Sequence, residues 1–352
     1  MGSLNLRLKI TALFLFLISS AKISRADGFS YDESPRHIRP VPIPGATTGI
    51  GFDDMNFSPF LKKMLVPGGR MGDLFLVTPK THDVSEIGGF SVHLQYYGGH
   101  RDGVTSADSN KRFLFATDRT SMKLSLIDPQ SKKIIAAVPL AAEPDYVRYI
   151  SLNDEIWVTE PQNRQIEVFS FKPRKDPPFK RLRFISVENG PESLVIDEKT
   201  KKAFANSTSS ETMVIDLKSK EVLARWPNRC LHARGLALDL KKQFLFVGCA
   251  EGKVETLDIA HNGKILGEAR SGQGVDIIAY NPLLSHLYMS GANSGTMAVV
   301  HVLGNGRLYV EEAMPTAHGA HCVAVDNNDG VWICDPRRGR LLFFQDLHTP
   351  IE

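Results

Sequence analysis

The sequence lacks most of the short signatures that declare a reaction. It contains no HExxH zinc motif, no G-x-S-x-G nucleophile elbow and no glycine loop of the kind that cradles a phosphate. No two cysteines stand at Cys-x-x-Cys spacing, which excludes the common thiolate metal sites and c-type haem attachment. No stretch approaches the roughly 18 uninterrupted apolar residues of a membrane-spanning helix. An excess of one charge is missing too: 42 basic residues face 39 acidic ones. Four of the bases, Arg7, Lys9, Lys22 and Arg25, fall in the first 26 residues, which hold no acid. Without them acids outnumber bases by one, so the chain lacks the positive field that nucleic-acid binding exploits. The one basic cluster, Lys172 to Arg183, is broken by Pro173, Pro177 and Pro178 and reads as a solvated loop.

What is present begins with a leader. Arg7 and Lys9 precede the apolar run Ile10 to Ile18, and Ser24-Arg25-Ala26 follows as a small-x-small cleavage site, with Ser19-Ser20-Ala21 as a second one. This is the layout of a secretory signal peptide over residues 1–26, and it predicts an exported protein, periplasmic or extracellular, with no membrane span after cleavage. The remainder has a globular composition, 42% hydrophobic and 23% charged over the whole chain.

A repeat organises that remainder. Each unit opens on a polar residue, followed by four short apolar strands separated by turns. One copy reads Asp102-Gly-Val-Thr-Ser, Arg112-Phe-Leu-Phe-Ala-Thr, Lys123-Leu-Ser-Leu-Ile-Asp and Lys133-Ile-Ile-Ala-Ala-Val. Another reads Arg234-Gly-Leu-Ala-Leu-Asp, Gln243-Phe-Leu-Phe-Val-Gly, Lys253-Val-Glu-Thr-Leu-Asp and Lys264-Ile-Leu-Gly-Glu-Ala. The opening residue recurs at Asp53, Asp102, Asp145, Glu192, Arg234, Asp276 and His321, at intervals of roughly 45 residues, the period of a propeller blade. The expectation is an all-β, seven-bladed β-propeller occupying residues 27–352, with four antiparallel strands per blade. The last unit has only three strands. Residues 36–44, after a lead-in over 27–35, are expected to supply its fourth and close the ring, their prolines tolerated on an outermost strand.

The second strands carry FATD at 115–118, WVTE at 157–160, FANS at 204–207, FVGC at 246–249 and YMSG at 288–291. In these segments the chain resembles the bacterial YVTN/YncE-type propeller family, part of the wider WD40/YVTN repeat-like superfamily. The resemblance implies a rigid exported scaffold and no particular reaction, since propellers host many functions.

Four cysteines in an exported chain allow three pairings. Cys322 and Cys334 flank one hairpin, and Cys230 and Cys249 lie at the entry and exit of one blade's first two strands, so Cys230–Cys249 and Cys322–Cys334 are the favoured disulfides. Metal ligation and buried free thiols are the alternatives. Trp157 and Trp332 occupy matching second-strand positions and are expected to pack between blades.

Inner strands of a propeller start at the mouth of the central channel. The seven opening residues therefore converge on one ring, with His100, His232 and His318 in the entry loops and Asp118, Glu160, Asn206, Glu251 and Asp335 as an outer rim. Acids crowded together must be protonated, paired with Arg234 or bound to a cation. Asp102, Asp145, Glu192 and Asp276 are the metal-ligand candidates, with Ca²⁺ the hard ion such oxygens would suit and a zinc set of His321, His318 and an acid the weaker variant. The alternative is that these groups cap backbone and line a wet channel. Three functional classes follow: a non-catalytic scaffold holding a small ligand, divalent cation or protein partner; a metal-dependent hydrolase or lyase, lactonase-like, working at the acidic ring; and an accessory to a redox system. The first asks least of the sequence. Asn206-Ser-Thr is a glycosylation sequon if the host is a eukaryote.

Overall fold

The computed structural model describes residues 38–46 and 48–349; the leader over 1–26 and the lead-in over 27–35 lie outside the described residues. The short apolar runs resolve into seven four-stranded antiparallel sheets. Blade one spans 56–87, blade two 104–139, blade three 147–186, blade four 195–227, blade five 233–270 and blade six 275–315. Blade seven combines Val323–Val325, Gly330–Asp335 and Arg340–Gln345 with Arg39–Pro42 as its outermost strand. Among the described residues helix is confined to three 3-10 turns, and no helix there is long and apolar enough to cross a membrane.

Each sheet is sandwiched between two others, so its middle strands must be apolar on both faces. Leu114–Asp118, Glu155–Glu160 and Phe244–Cys249 are buried along their whole length, whereas the outer strand Lys133–Pro139 alternates between exposed and half-buried positions. Seven apolar clusters result, one in each cleft between neighbouring blades. Trp157 packs with Leu194, Ala205 and Met213 between blades three and four, and Trp332 with Met64, Val66 and Phe75 between blades seven and one. Both tryptophans are therefore inter-blade wedges, as expected from their positions. Near the axis the inner strands approach so closely that a Cβ on Gly235 would sit 2.5 Å from the Asp276 carbonyl oxygen, a place only glycine fits.

Closure follows the expected route. Arg39–Pro42 pairs antiparallel with the last strand, Arg39 opposite Phe343 and Pro42 opposite Arg340. Hydrogen-bonding groups of alternate residues face the same edge, so Pro40 and Pro42 can both turn their missing N–H outward while Arg39 and Val41 face the sheet. Val41 is buried in the cluster that joins blade seven to blade one. Both favoured disulfides are present, with Cα–Cα separations of 5.2 Å for Cys230–Cys249 and 5.5 Å for Cys322–Cys334. Two disulfides indicate an oxidising environment.

Two sequence expectations need correction. The basic cluster Lys172 to Arg183 is not all loop: Phe179–Ser186 is the outer strand of blade three, on which Arg181 pairs with Glu167. Asn206 is fully buried, its amide donating to the Arg234 carbonyl and its carbonyl accepting from Thr212, so the sequon is closed to glycosylation.

Val41→Ala should cost about 2 kcal/mol, the order expected for a buried aliphatic truncation, measured as a shift of the urea midpoint at constant slope. Deleting residues 38–42 should cost considerably more, because it removes a strand and reopens an edge; an unchanged midpoint would refute the closure.

Candidate functional site

The inner strands deliver their first residues to one end of the axis. Counting two residues back from Val147, Leu236 and Ile278, which pair with Val158, Val247 and Met289, gives Asp145, Arg234 and Asp276. These three, with Asp53, Glu192 and His321, line a cavity of about 450 Å³ at the channel mouth. Asp102 does not. In blade two the same count back from Ala107, which pairs with Ala116, arrives at Thr105. Thr105 is buried, its hydroxyl 3.2 Å from that of Thr117. Asp102 stands three residues earlier, in the entry loop, at a polar position that mimicked the repeat.

Blade two contributes a cation instead. Arg119, directly after the second strand, spans from blade one to blade three: its Nη2 lies 3.2 Å from Asp53 and 2.6 Å from Asp145. His100, from the long connection 88–103, donates from Nδ1 to the same Asp53 oxygen at 2.8 Å. Glu192 accepts from Arg234 of the adjacent blade. Three of the ring's four acids are thus held by cations, and among the described residues Asp276 makes no hydrogen bond or ion pair to protein. The same holds of Arg337, an exposed lining residue from neighbouring blade seven, in the turn that follows Asp335.

Burial and charge set the protonation of this cluster. Burial alone would raise the Asp53 carboxyl, but His100 and Arg119 outweigh it and hold its pKa below the ordinary value. The Asp53 charge is the main reason that His100 is raised to about 9. Asp145 is pushed up to about 7 by burial and by neighbouring Asp53, with Arg119 opposing. The expected repulsion between acids is therefore relieved in two of the anticipated ways, by pairing and by protonation near neutrality.

The anticipated metal set is dispersed by the same geometry. Asp102 is outside the cavity, Asp145 and Glu192 are engaged by Arg119 and Arg234, and Asp276 is left alone. Asp53, His100 and His321 do lie within metal-ligand distance of one another, and the two imidazoles stack at 4.7 Å. However, His321 directs Nδ1 to the Gly319 carbonyl and Nε2 to the Phe52 carbonyl, which occupies both of its ring nitrogens. His318 and His232 are exposed and line no part of the cavity.

The outer-rim residues serve the scaffold. Asp118 accepts from the Ser91 and Ser121 amides, Glu160 from the Ala142 amide, and Glu251 from the Leu231 amide, while Asp335 accepts from Arg340. Each ties down a loop, the bland reading of a polar residue at a strand end. The disulfides brace the wall: Cys322 follows His321, Cys249 precedes Ala250, and Cys334 precedes the Asp335-Pro336-Arg337 turn.

Two features escaped the sequence reading. The connection 88–103 contributes Tyr96, Gly98, Gly99 and His100 to the cavity, and Arg70 fixes it by donating to the carbonyls of Gly49, His93 and Leu94. Its length against the 271–274 connection was the available signal. The other is Tyr146, which lines both this cavity and a second of about 210 Å³ deeper in the channel, so its ring stands between the two. Arg148, which lines that second cavity, grips Asp54 through two bonds, at 2.6 and 3.0 Å.

No family model matches the chain, and no curated protein matches its sequence. Solved structures do. Kuenenia stuttgartiensis hydrazine synthase aligns at a TM-score of 0.68 and 14% identity, over 87% of this chain and 99% of that one. A chain of the mitotic checkpoint complex aligns at 0.71 and 11% identity, over 98% and 100%. The β-propeller domain of Myceliophteria thermophila Cps50 (Swd1) aligns at 0.70 and 13%, over 87% and 99%. The chain is a seven-bladed β-propeller. At these identities the likeness is one of fold alone, consistent with a scaffold or binding role and specific to no ligand.

The cluster carries a pH signature. His100 has a raised folded pKa, so its stabilisation is complete below about pH 6.5 and is lost as pH climbs through about 9. Asp145, also raised, is penalised as it ionises towards pH 7, so it too makes stability fall with rising pH. Urea unfolding should show stability declining from pH 5 to 9, with about 2 kcal/mol of the loss above pH 6.5 removed in His100→Gln, a figure already reduced for partial solvent screening. An identical slope in the variant would contradict the assignment.

Proposed function

We propose that this protein is an exported, non-catalytic binding propeller that holds a small polar ligand bearing charges of both signs in its channel mouth. The observation that carries the reading is the pairing pattern. Within one cavity, the cations and acids pair with one another except for the Asp276 carboxylate and the Arg337 guanidinium, which make no hydrogen bond or ion pair among the described residues. A ligand offering an ammonium to the first and a carboxylate or phosphate to the second would complete both. The volume of about 450 Å³ lies in the range of small-molecule sites.

Export is supported by the two disulfides and by the leader read from the sequence. The resemblance in the second-strand segments favours a YVTN/YncE-type exported scaffold. A lactonase-like hydrolase is less favoured, because Asp145 and Glu192, two of the carboxylates that would hold a divalent ion, are engaged by arginines.

The test is a thermal-shift and calorimetric screen with free amino acids, amino sugars and their phosphates. A hit should bind at least tenfold more weakly to Asp276→Asn and to Arg337→Gln, with Lys123→Gln, on the outside of blade two, unchanged. Hits that ignore both site variants would remove the basis for the proposal. Turnover of any hit, followed by chromatography, would replace it with the enzymatic reading.

A further inference from the structure

At the far end of blade six, three side chains from three strands converge. His286 opens the second strand and stands directly opposite His301 on the third. Glu311 is on the fourth, where the register steps from Val299↔Glu312 to Val300↔Val310 and leaves it as the bulged residue. Bulges re-aim a side chain, and blades two to five place Ile135, Leu182, Leu223 and Leu266 at this position. Only in blade six does the bulge carry an acid. The ligating atoms of His286, His301 and Glu311 lie within 4.8 Å of one another.

The surroundings fix how His286 presents itself. Its ring is fully buried, and Nδ1 is 2.7 Å from Asp346. Asp346 also accepts from the Tyr288 hydroxyl at 2.6 Å and from the His348 backbone amide at 3.0 Å, and His348 Nδ1 stands 2.6 Å from it. A carboxylate facing Nδ1 orients the ring and favours the tautomer with its proton there, which leaves the lone pair on Nε2. That Nε2 has no hydrogen-bond partner, nor does the shielded Oε2 of Glu311, 3.7 Å away. Two orphaned polar atoms face each other, too far apart to bond directly. Ligands of a tetrahedral zinc ion at 2.0–2.1 Å stand roughly 3.3 Å apart, so a small adjustment would satisfy both through one ion.

We propose that His286, His301 and Glu311 form a binding site for a divalent transition-metal ion of the zinc class, separate from the channel-mouth cavity. Two imidazoles and one carboxylate suit Zn²⁺ and its neighbours rather than Ca²⁺, which takes six or more oxygens. Asp346 acts as the outer carboxylate that orients a ligating histidine. Because Asp346 follows the last strand of blade seven, the ion would tie blade six to the segment after that strand.

The experiment uses the full-length folded chain, stripped with chelator and titrated with Zn²⁺ against a competing dye, with Co²⁺ absorption as the spectroscopic readout. One equivalent of Zn²⁺ is expected, together with a visible Co²⁺ d–d band and a raised melting temperature. Glu311→Gln should weaken binding at least tenfold and Asp346→Asn by 10–100-fold, while His286→Ala should abolish the Co²⁺ band. Glu311 is partly exposed on an outer strand, so its variant reports even if the buried histidine variant fails to fold. His100→Gln should bind normally. The proposal is overturned if the native chain takes up neither ion, if uptake is indifferent to Glu311→Gln and Asp346→Asn, or if it is His100→Gln that loses it. Absence of uptake with destabilisation in Glu311→Gln would identify a buried imidazolium between two carboxylates instead.

Discussion

Everything in this molecule depends on sheets burying both faces against their neighbours around a closed circle. A single blade cannot satisfy that requirement, since its middle strands are apolar on both sides. The seventh cleft is the demanding one, because its cluster draws Trp332 and Phe343 from the end of the chain and Val41 from near its beginning. Once the circle is complete, the inner strands are held at backbone contact near the axis, and their first residues have no option but to meet. The charged cavity is a geometric product of the packing.

That origin explains the electrostatic design. A ring of first residues brings four acids into one partly buried space, which is unstable unless counter-charges arrive. Blade two, which contributes only Thr105 at its ring position, supplies Arg119 from the neighbouring turn, and this guanidinium reaches the acids of the blades on either side. His100 and Arg234 complete the compensation. The outcome is a nearly balanced pocket with one carboxylate and one guanidinium left over, which is a more selective surface than a uniformly acidic ring.

The blade count, the closing strand, both disulfides and six of the seven ring positions were legible in the sequence. The reason is that strand, turn and polar opener recur with a period that backbone geometry enforces. Asp102 went astray because the entry loop of blade two carries an acid shortly before the true ring residue, and that ring residue, Thr105, is a buried threonine that reads as part of the strand. Arg119 was hidden because it follows an acid at a rim position, and nothing local says that its side chain reaches two neighbouring blades. The cluster of His286, His301 and Glu311 was equally invisible, since it depends on cross-strand register and on a bulge. Periodic features survive in one dimension, and exceptions to the period need three.

The clasp between Arg39–Pro42 and Arg340–Gln345 also has a temporal meaning. Arg39–Pro42 can pair only once Arg340–Gln345 has been made, so the ring cannot lock before that strand emerges. Contacts of such great sequence separation are also slow to form. Under the proposed export, a ring that stays open until Arg340–Gln345 appears is a built-in delay before the chain is threaded through a membrane, set by topology alone.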